Sequence, residues 1–340
     1  IKKDLSEILG FVISKTDTSK FEDVDYKLWE KYLRQTHPNV ATLHSYFHET
    51  ANEFDIPVEI LEAIAKVESN WTQIGPSIDK GWGIMHLVDN SYCNTLIQAA
   101  DLLDMNPQIL KDNAKQNIRG MAALIADHAK NKREELLKLE DWLEILKPVT
   151  GLGSESIREL QVYEYYKVIE NGSISMTLWD EEIIIKGQSI DISDKLNPNN
   201  PYLFPKNTIK SEDYPPAIPA FTTCNFAEGR NHEIDAWVNH WIGTGTYAGA
   251  ISWFQNCDAE VSAHFVIRSF DGEISQVVEV ANTAWHCGAS GYLYNNGRSI
   301  GVEHEATLAN PDQWNSMPML EASAAMASYF CDEYGIPKTL

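Results

Sequence analysis

Between residues 198 and 219 the stretches NPNNPYLFP and DYPPAIPA place prolines too close together for a long helix or a central strand to run through them. Each proline fixes φ at about −65° and removes an amide donor, so this segment reads as an extended connection and a domain boundary. On its N-terminal side apolar residues recur at helical spacing, in segments near 43–54, 57–70, 94–104, 114–130, 134–146 and 154–170. On its C-terminal side the texture changes. AHFVIRSFDGEISQVVEV is two apolar runs around Asp271-Gly272, a hairpin signal, SIGVEHE reads as a strand, and MLEASAAMASYFCDEYG as an amphipathic helix closed by Gly335. The fold class expected is multidomain, α then α/β. It comprises an N-terminal extension (1–40, helical in look over YKLWEKYLRQ), an all-α domain (41–172), a Pro-rich linker with short β segments (173–220) and a mixed α/β domain (221–340).

A length of 340 residues suits about two domains. Net charge of −22, from 27 Lys+Arg against 49 Asp+Glu, excludes nucleic acid as a partner, because phosphate binding needs a basic footprint. No apolar run approaches the roughly 18 residues of a membrane span, so no transmembrane segment is expected. The five cysteines, Cys93, Cys224, Cys257, Cys287 and Cys331, are odd in number with no CxxC pair, which argues against a disulfide framework and a zinc ribbon. The first residue is Ile1 and no charged-then-apolar leader follows it, which is read as an export signal already removed or as a fragment.

Two groups of residues carry chemistry. In DIPVEILEAIAKVESNW a helix is expected to start with Asp55 as N-cap and Pro57 in its first turn. Leu61, Ile64 and Glu68 then share one face, so the Glu68 carboxyl is partly desolvated at the helix end. Desolvation raises a carboxyl pKa toward the range of a general acid, although a Glu at the end of an apolar stripe is more often a rim residue.

KVESNW, GWGIMHL (81–87) and QNIRGMAALIADHA (116–129) follow one another in an order that resembles the lysozyme-like lytic transglycosylases, over residues 41–172. The resemblance implies that Glu68 protonates the glycosidic oxygen between amino sugars and then acts as base, with no second carboxylate. His86 stands where that family carries Gln, and a binding-only lysozyme-like module is the alternative.

The second group lies in WVNHWIGTGTYAGAISWFQN, VSAHFVIRSFDGEISQVV, ANTAWHCG and NNGRSIGVEHE. A lone histidine in a strand is more often a packed ring than a ligand, so order and spacing must decide. These four blocks resemble, in that order, the zinc-dependent N-acetylmuramoyl-L-alanine amidases related to T7-type lysozymes and peptidoglycan recognition proteins. The resemblance implies that His240 is the first Zn2+ ligand and Glu303 the carboxylate that activates the attacking water. It places His264 and His286 near the groove, to hold substrate or to orient other groups, and leaves His232 and His304 as surface or packing residues. Strand alternation supports Glu303 lining a cleft, because Gly301, Glu303 and Glu305 face away from Ile300 and Val302. The family's other two ligands, a His and then an Asp or Cys, fall after a segment that begins where this sequence reads GIPKTL, so His240 alone is assigned to metal.

Together these readings imply a cell-wall hydrolase. An all-α lysozyme-like domain acts on the glycan and a mixed α/β zinc-amidase domain on the bond between N-acetylmuramic acid and L-alanine. The partner is bacterial peptidoglycan and the location secreted or cell-wall associated. A non-catalytic peptidoglycan-binding protein is the alternative.

Overall fold

The computed structural model describes residues 37–177, 179–204, 210–288, 295–307 and 309–338. The helical reading of residues 26–35 lies outside them.

The first half is built from α1 (Val40–Phe54), α2 (Val58–Ser69), α3 (Thr95–Leu102), α4 (Pro107–Asp112), α5 (Ala114–Ala129), the single turn α6 (Leu143–Leu146) and α7 (Glu155–Asn171). Side-chain caps start several of them. Asn39 accepts from Thr42 N, Asn113 from Gln116 N and Ser154 from Ile157 N, each occupying an amide that a helix start leaves without a partner. Asp55 corrects the sequence reading: it closes α1 in the left-handed conformation, φ 55°, with its amide bonded to Ala51 O. A left-handed residue there reverses the chain between two helices, and Pro57, which has no amide to satisfy, becomes the N-cap of α2. The helix expected over 134–146 is instead a series of 3-10 turns ending in α6. The Asp141 carboxylate accepts from the amides of Leu137 and Lys138 and so competes with continuous helix. One apolar cluster, including Phe47, Ile64, Trp71, Ile84, Met121 and Ile125, fills this half.

Of two short antiparallel pairs, one interrupts the helices between α2 and α3 and the other follows α7. Strand β1 (Gly81–Trp82) pairs with β2 (Leu87–Val88), and β3 (Ser173–Met176) with β4 (Glu182–Ile185). The second half is organised by β5 (Ile218–Pro219), β6 (Phe226–Ala227), β7 (Ala236–Gly243), β8 (Phe265–Ile267), β9 (Ile274–Gln276), β10 (Thr283–Ala284) and β11 (Ser299–Thr307), with helices α8 (Tyr247–Phe254) and α9 (Met317–Tyr334). The central sheet has the order β5-β9-β8-β11-β7. The expected hairpin is the antiparallel β8–β9 pair, with Gly272 at φ 75° in its turn, whereas β11 runs parallel to both β7 and β8. Pro219, at the end of the proline-rich stretch, lies on the edge strand, where a missing amide costs no ladder bond.

Strand alternation gives the sheet two different faces. Phe265, Ile267, Ile300, Val302 and Ala306 pack under Met319, Met326 and Phe330 of α9, and Gly335 ends that helix at φ 66°. The opposite face meets α8, and here the apolar cluster crosses between the halves. Leu152, Ile157 and Leu160 of the first half pack with Ile242, Tyr247, Ile251 and Val266 of the second. The two halves therefore share a core.

The cysteines depart from expectation. Cys224 and Cys257 form a disulfide with Cα atoms 5.5 Å apart, while Cys93, Cys287 and Cys331 are free. A pairing across 33 residues leaves no mark in sequence spacing, because tertiary packing alone brings the partners together.

Candidate active site

The parallel register of β7 and β11 places His240 directly opposite Glu303, with Val238 opposite Gly301. Paired residues on neighbouring strands point to the same face, so imidazole and carboxylate stand side by side on the sheet face away from α9. His286, in the bend after β10, leans over Gly301. A Cβ at that glycine would fall 2.3 Å from His286 Cγ, so the bare backbone is what admits the ring. Gly301→Ala is therefore expected to cost about 1–3 kcal/mol through overpacking and to displace His286. Urea denaturation together with the histidine ring signals in NMR checks this, and a variant as stable as the parent with unmoved ring signals would refute it.

His286 Nδ1 lies 2.9 Å from His240 Nε2, and His286 Nε2 lies 3.1 Å from Ser299 Oγ. Burial pushes the His240 pKa down to about 4, assisted by His304, and burial with His240 and Arg230 nearby pushes His286 down to about 3. Both rings are neutral at neutral pH. His304 sits on the other face, its Nδ1 donating to His240 O and its Nε2 accepting from Ser323, so it fastens the strand and faces away from the cleft. His232 is exposed.

His264 is 0% exposed. Its Nδ1 accepts from Gly301 N, its Nε2 faces Asn282 O at 3.2 Å, and the Arg230 guanidinium lies 2.7 Å away. Of the two roles the sequence offers it, holding substrate is closed to an enclosed ring with both nitrogens engaged; His264 pins β8 to β11. Glu305, two residues beyond Glu303, is also buried. Its carboxylate accepts from Tyr247 N at the start of α8 and from Ser269 N and Oγ.

Residues 230–340 match the N-acetylmuramoyl-L-alanine amidase family. N-acetylmuramoyl-L-alanine amidase A of Achromobacter lyticus is 42% identical over 115 residues, which is 34% of this chain and 60% of that protein. The chain thus spans about three fifths of the length of this curated relative. A selenomethionine derivative of AmpD is 25% identical with a TM-score of 0.30, over 38% of this chain and 81% of that one. The family segment contains His240, His264, His286 and Glu303, and leaves Glu68 outside it.

The side chains around His240 meet the demands of zinc in part. A buried, neutral imidazole with one nitrogen hydrogen-bonded to a second residue is what a metal-holding histidine requires, and His240 has these properties. Among the described residues, however, no group of three His, Cys, Asp or Glu is placed to hold a metal ion. His240 therefore fits as one ligand of a site that needs further donors.

Glu68 belongs to a separate cluster. It is 5% exposed: Oε1 accepts from Gln161 Nε2 at 2.8 Å and from the Tyr165 hydroxyl, and Oε2 faces His86 Nδ1 at 3.1 Å. His86 Nε2 in turn lies 2.9 Å from Asp79 Oδ1, which also accepts from Ser77 at 2.5 Å. Burial alone would strip the His86 proton, but Asp79 and Glu68 together outweigh it and push the ring up to about 9. Burial raises the Glu68 carboxyl despite His86, while Asp79 is held below its usual range by His86 and Ser77 in spite of its burial. The turn at 243–249 covers this cluster. Thr246 donates to Gln161, and a Cβ on Gly249 would lie 3.2 Å from Asp79 Oδ2. Where the sequence suggests partial desolvation at a helix end, the structure shows a carboxyl enclosed between the two halves. Asp79, Gln161, Tyr165 and Thr246 carry no sequence signal, because each acts only through contacts made by folding.

Proposed function

We propose that the chain belongs to a zinc-dependent peptidoglycan hydrolase whose second half cleaves the amide between the lactyl group of N-acetylmuramic acid and L-alanine of the stem peptide. The observation that carries this reading is the pairing of His240 with Glu303 on one sheet face, inside the segment that matches the amidase family. His240 would hold the metal, which when bound supplies a Lewis acid for the amide carbonyl. Glu303, half-buried at the same face, takes the proton of the attacking water and returns it to the leaving amine of L-alanine. The Cys224–Cys257 disulfide supports an extracytoplasmic location, because such bonds persist in oxidising compartments. Among the described residues no helix is long and apolar enough to cross a membrane.

The test is release of L-alanine-bearing peptides from purified peptidoglycan by the full-length gene product, with and without a chelator. Zinc-dependent release is expected. Binding to peptidoglycan without release at any zinc concentration would instead favour the recognition-protein reading.

For the first half, the resemblance to lytic transglycosylases and the raised Glu68 carboxyl support glycan cleavage. Thr246 and Gly249 of the second half lie against Gln161 and Asp79, the neighbours of that carboxyl cluster. Glu68→Gln assayed on glycan strands decides the glycan reading, since unchanged cleavage excludes Glu68 as the acid.

A further inference from the structure

We propose that Thr246 of the second half is a positioning residue for Glu68 of the first: it sets which end of the Gln161 side-chain amide meets the carboxyl, so that the candidate acid is completed across the two halves. This deepens the glycan-cleavage reading and rests on it for the role of Glu68, while the orientation of the amide is set by hydrogen bonds and requires no substrate.

The polarity follows from a group with only one possible role. Gly249 N is a backbone amide and can only donate, and it lies 3.0 Å from Thr246 Oγ1, which accepts from it as the N-cap of α8. The Thr246 hydroxyl then has its own proton to place, and Gln161 Oε1 lies 3.1 Å away. With its oxygen held there, Gln161 turns Nε2 toward Glu68 Oε1 at 2.8 Å. The Tyr165 hydroxyl donates to the same carboxyl oxygen. The reversed amide is disfavoured at both ends. It would set the Gln161 oxygen against Glu68 Oε1, acceptor against acceptor, and would take from the Thr246 proton its acceptor. Thr246 is 3% exposed and Gln161 1%, so water does not replace the lost partners, and a buried polar group left unpaired bears its full desolvation cost.

Two donors on Oε1 confine the labile proton of Glu68 to Oε2, the atom that faces His86 Nδ1 at 3.1 Å. They also favour the ionised carboxyl, against the burial that raises it. The titratable groups that act on Glu68 are His86 and Asp79 from the segment after α2, and Tyr165 and Glu164 from α7. The second half brings only Thr246 and Gly249 to this cluster, and neither is charged. Its influence on Glu68 is therefore exerted through the direction of one amide.

The experiment is a 13C NMR titration of the glutamate carboxyl groups in the 13C-labelled full chain, with the Glu68 signal identified by its loss in Glu68→Gln. In Thr246→Val, which removes the hydroxyl, Glu68 is expected to hold its proton about tenfold more tightly, and Thr246→Ser should restore the parent titration. Gln161→Met leaves the cap of α8 in place and should give the same change. Adding Thr246→Val to it should change nothing further, as for two residues acting through one path. A purely structural Thr246 would lower the unfolding midpoint and leave the Glu68 carboxyl where it was. In the parent, the Gln161 side-chain amide protons should show NOEs to the Tyr165 ring. Amide protons that instead face the Thr246 methyl group, or a Glu68 titration indifferent to Thr246→Val, overturn the proposal. If the carboxyl responds as stated but the parent cleaves no glycan strands, the positioning role stands and the glycan reading of Glu68 fails.

Discussion

Replacing His86 by alanine is expected to destabilise the protein by about 3–5 kcal/mol, the scale for removing one partner of a buried ion pair and leaving the other uncompensated. Here two carboxyl groups lose their partner together, Glu68 at 3.1 Å and Asp79 at 2.9 Å, both almost wholly enclosed. The effect has a pH signature. An unfolded histidine titrates near 6.5 and His86 at about 9 in the fold, so its proton contributes stability that is fully present below 6.5 and lost as pH rises through about 9. Asp79 behaves oppositely: its depressed pKa contributes stability that is lost only as acid brings the pH down through its folded value. Urea unfolding of the parent should therefore weaken between about pH 6.5 and pH 9. His86→Gln, which keeps a hydrogen-bonding side chain and removes the cation, should lose the part of that fall that comes from the His86 proton and show a shallower slope. A parent whose stability does not change there, or a glutamine variant with the same slope, would show that His86 is not charged in the fold.

Glu303→Gln is expected to lower amide cleavage by about 100- to 10,000-fold while leaving stability and peptidoglycan binding close to those of the parent. The substitution preserves shape and removes the group that accepts a proton. Its small structural cost follows from the site, because Glu303 is half-buried at the open face of β11 whereas Glu305 two residues on is enclosed with three donors. The contrast supplies an internal control. Glu305→Gln should reduce stability, since it disturbs the carboxylate that meets the first turn of α8, and should reduce activity only in step with the loss of folded protein. Rates of L-alanine peptide release compared with unfolding midpoints separate the two, and a Glu303→Gln protein that retains parental turnover removes Glu303 from the reaction.

Much of the second half was legible in its sequence because its signals are local. Two apolar runs around Asp271-Gly272 specify the β8–β9 hairpin, and the alternation of SIGVEHE puts Glu303 and Ile300 on opposite faces. The register that sets His240 opposite Glu303 is a different matter: it joins strands 63 residues apart and depends on parallel pairing, which no local pattern encodes. The resemblance to amidases brought those two residues together before any geometry did. In the first half, apolar spacing located most helices and the buried side of Glu68. It could not reveal that the carboxyl would be closed over, because the cover comes from Thr246 and Gly249, nearly 180 residues further along the chain. His86 was visible as a departure from Gln, and its meaning emerged only with Asp79 beside it. The Cys224–Cys257 bond was missed for the same reason as Asp79, being a contact set by tertiary packing.

The apolar cluster that Leu152, Ile157 and Leu160 share with Ile242, Tyr247 and Ile251 has a mechanical meaning. A linker that merely tethered two modules would let each search the polymer independently, with a reach set by its length. Here separating the halves exposes a common core, so they should melt in one transition and turn as one body. Whatever surface the second half presents to a partner, the orientation of the first half is thereby already chosen.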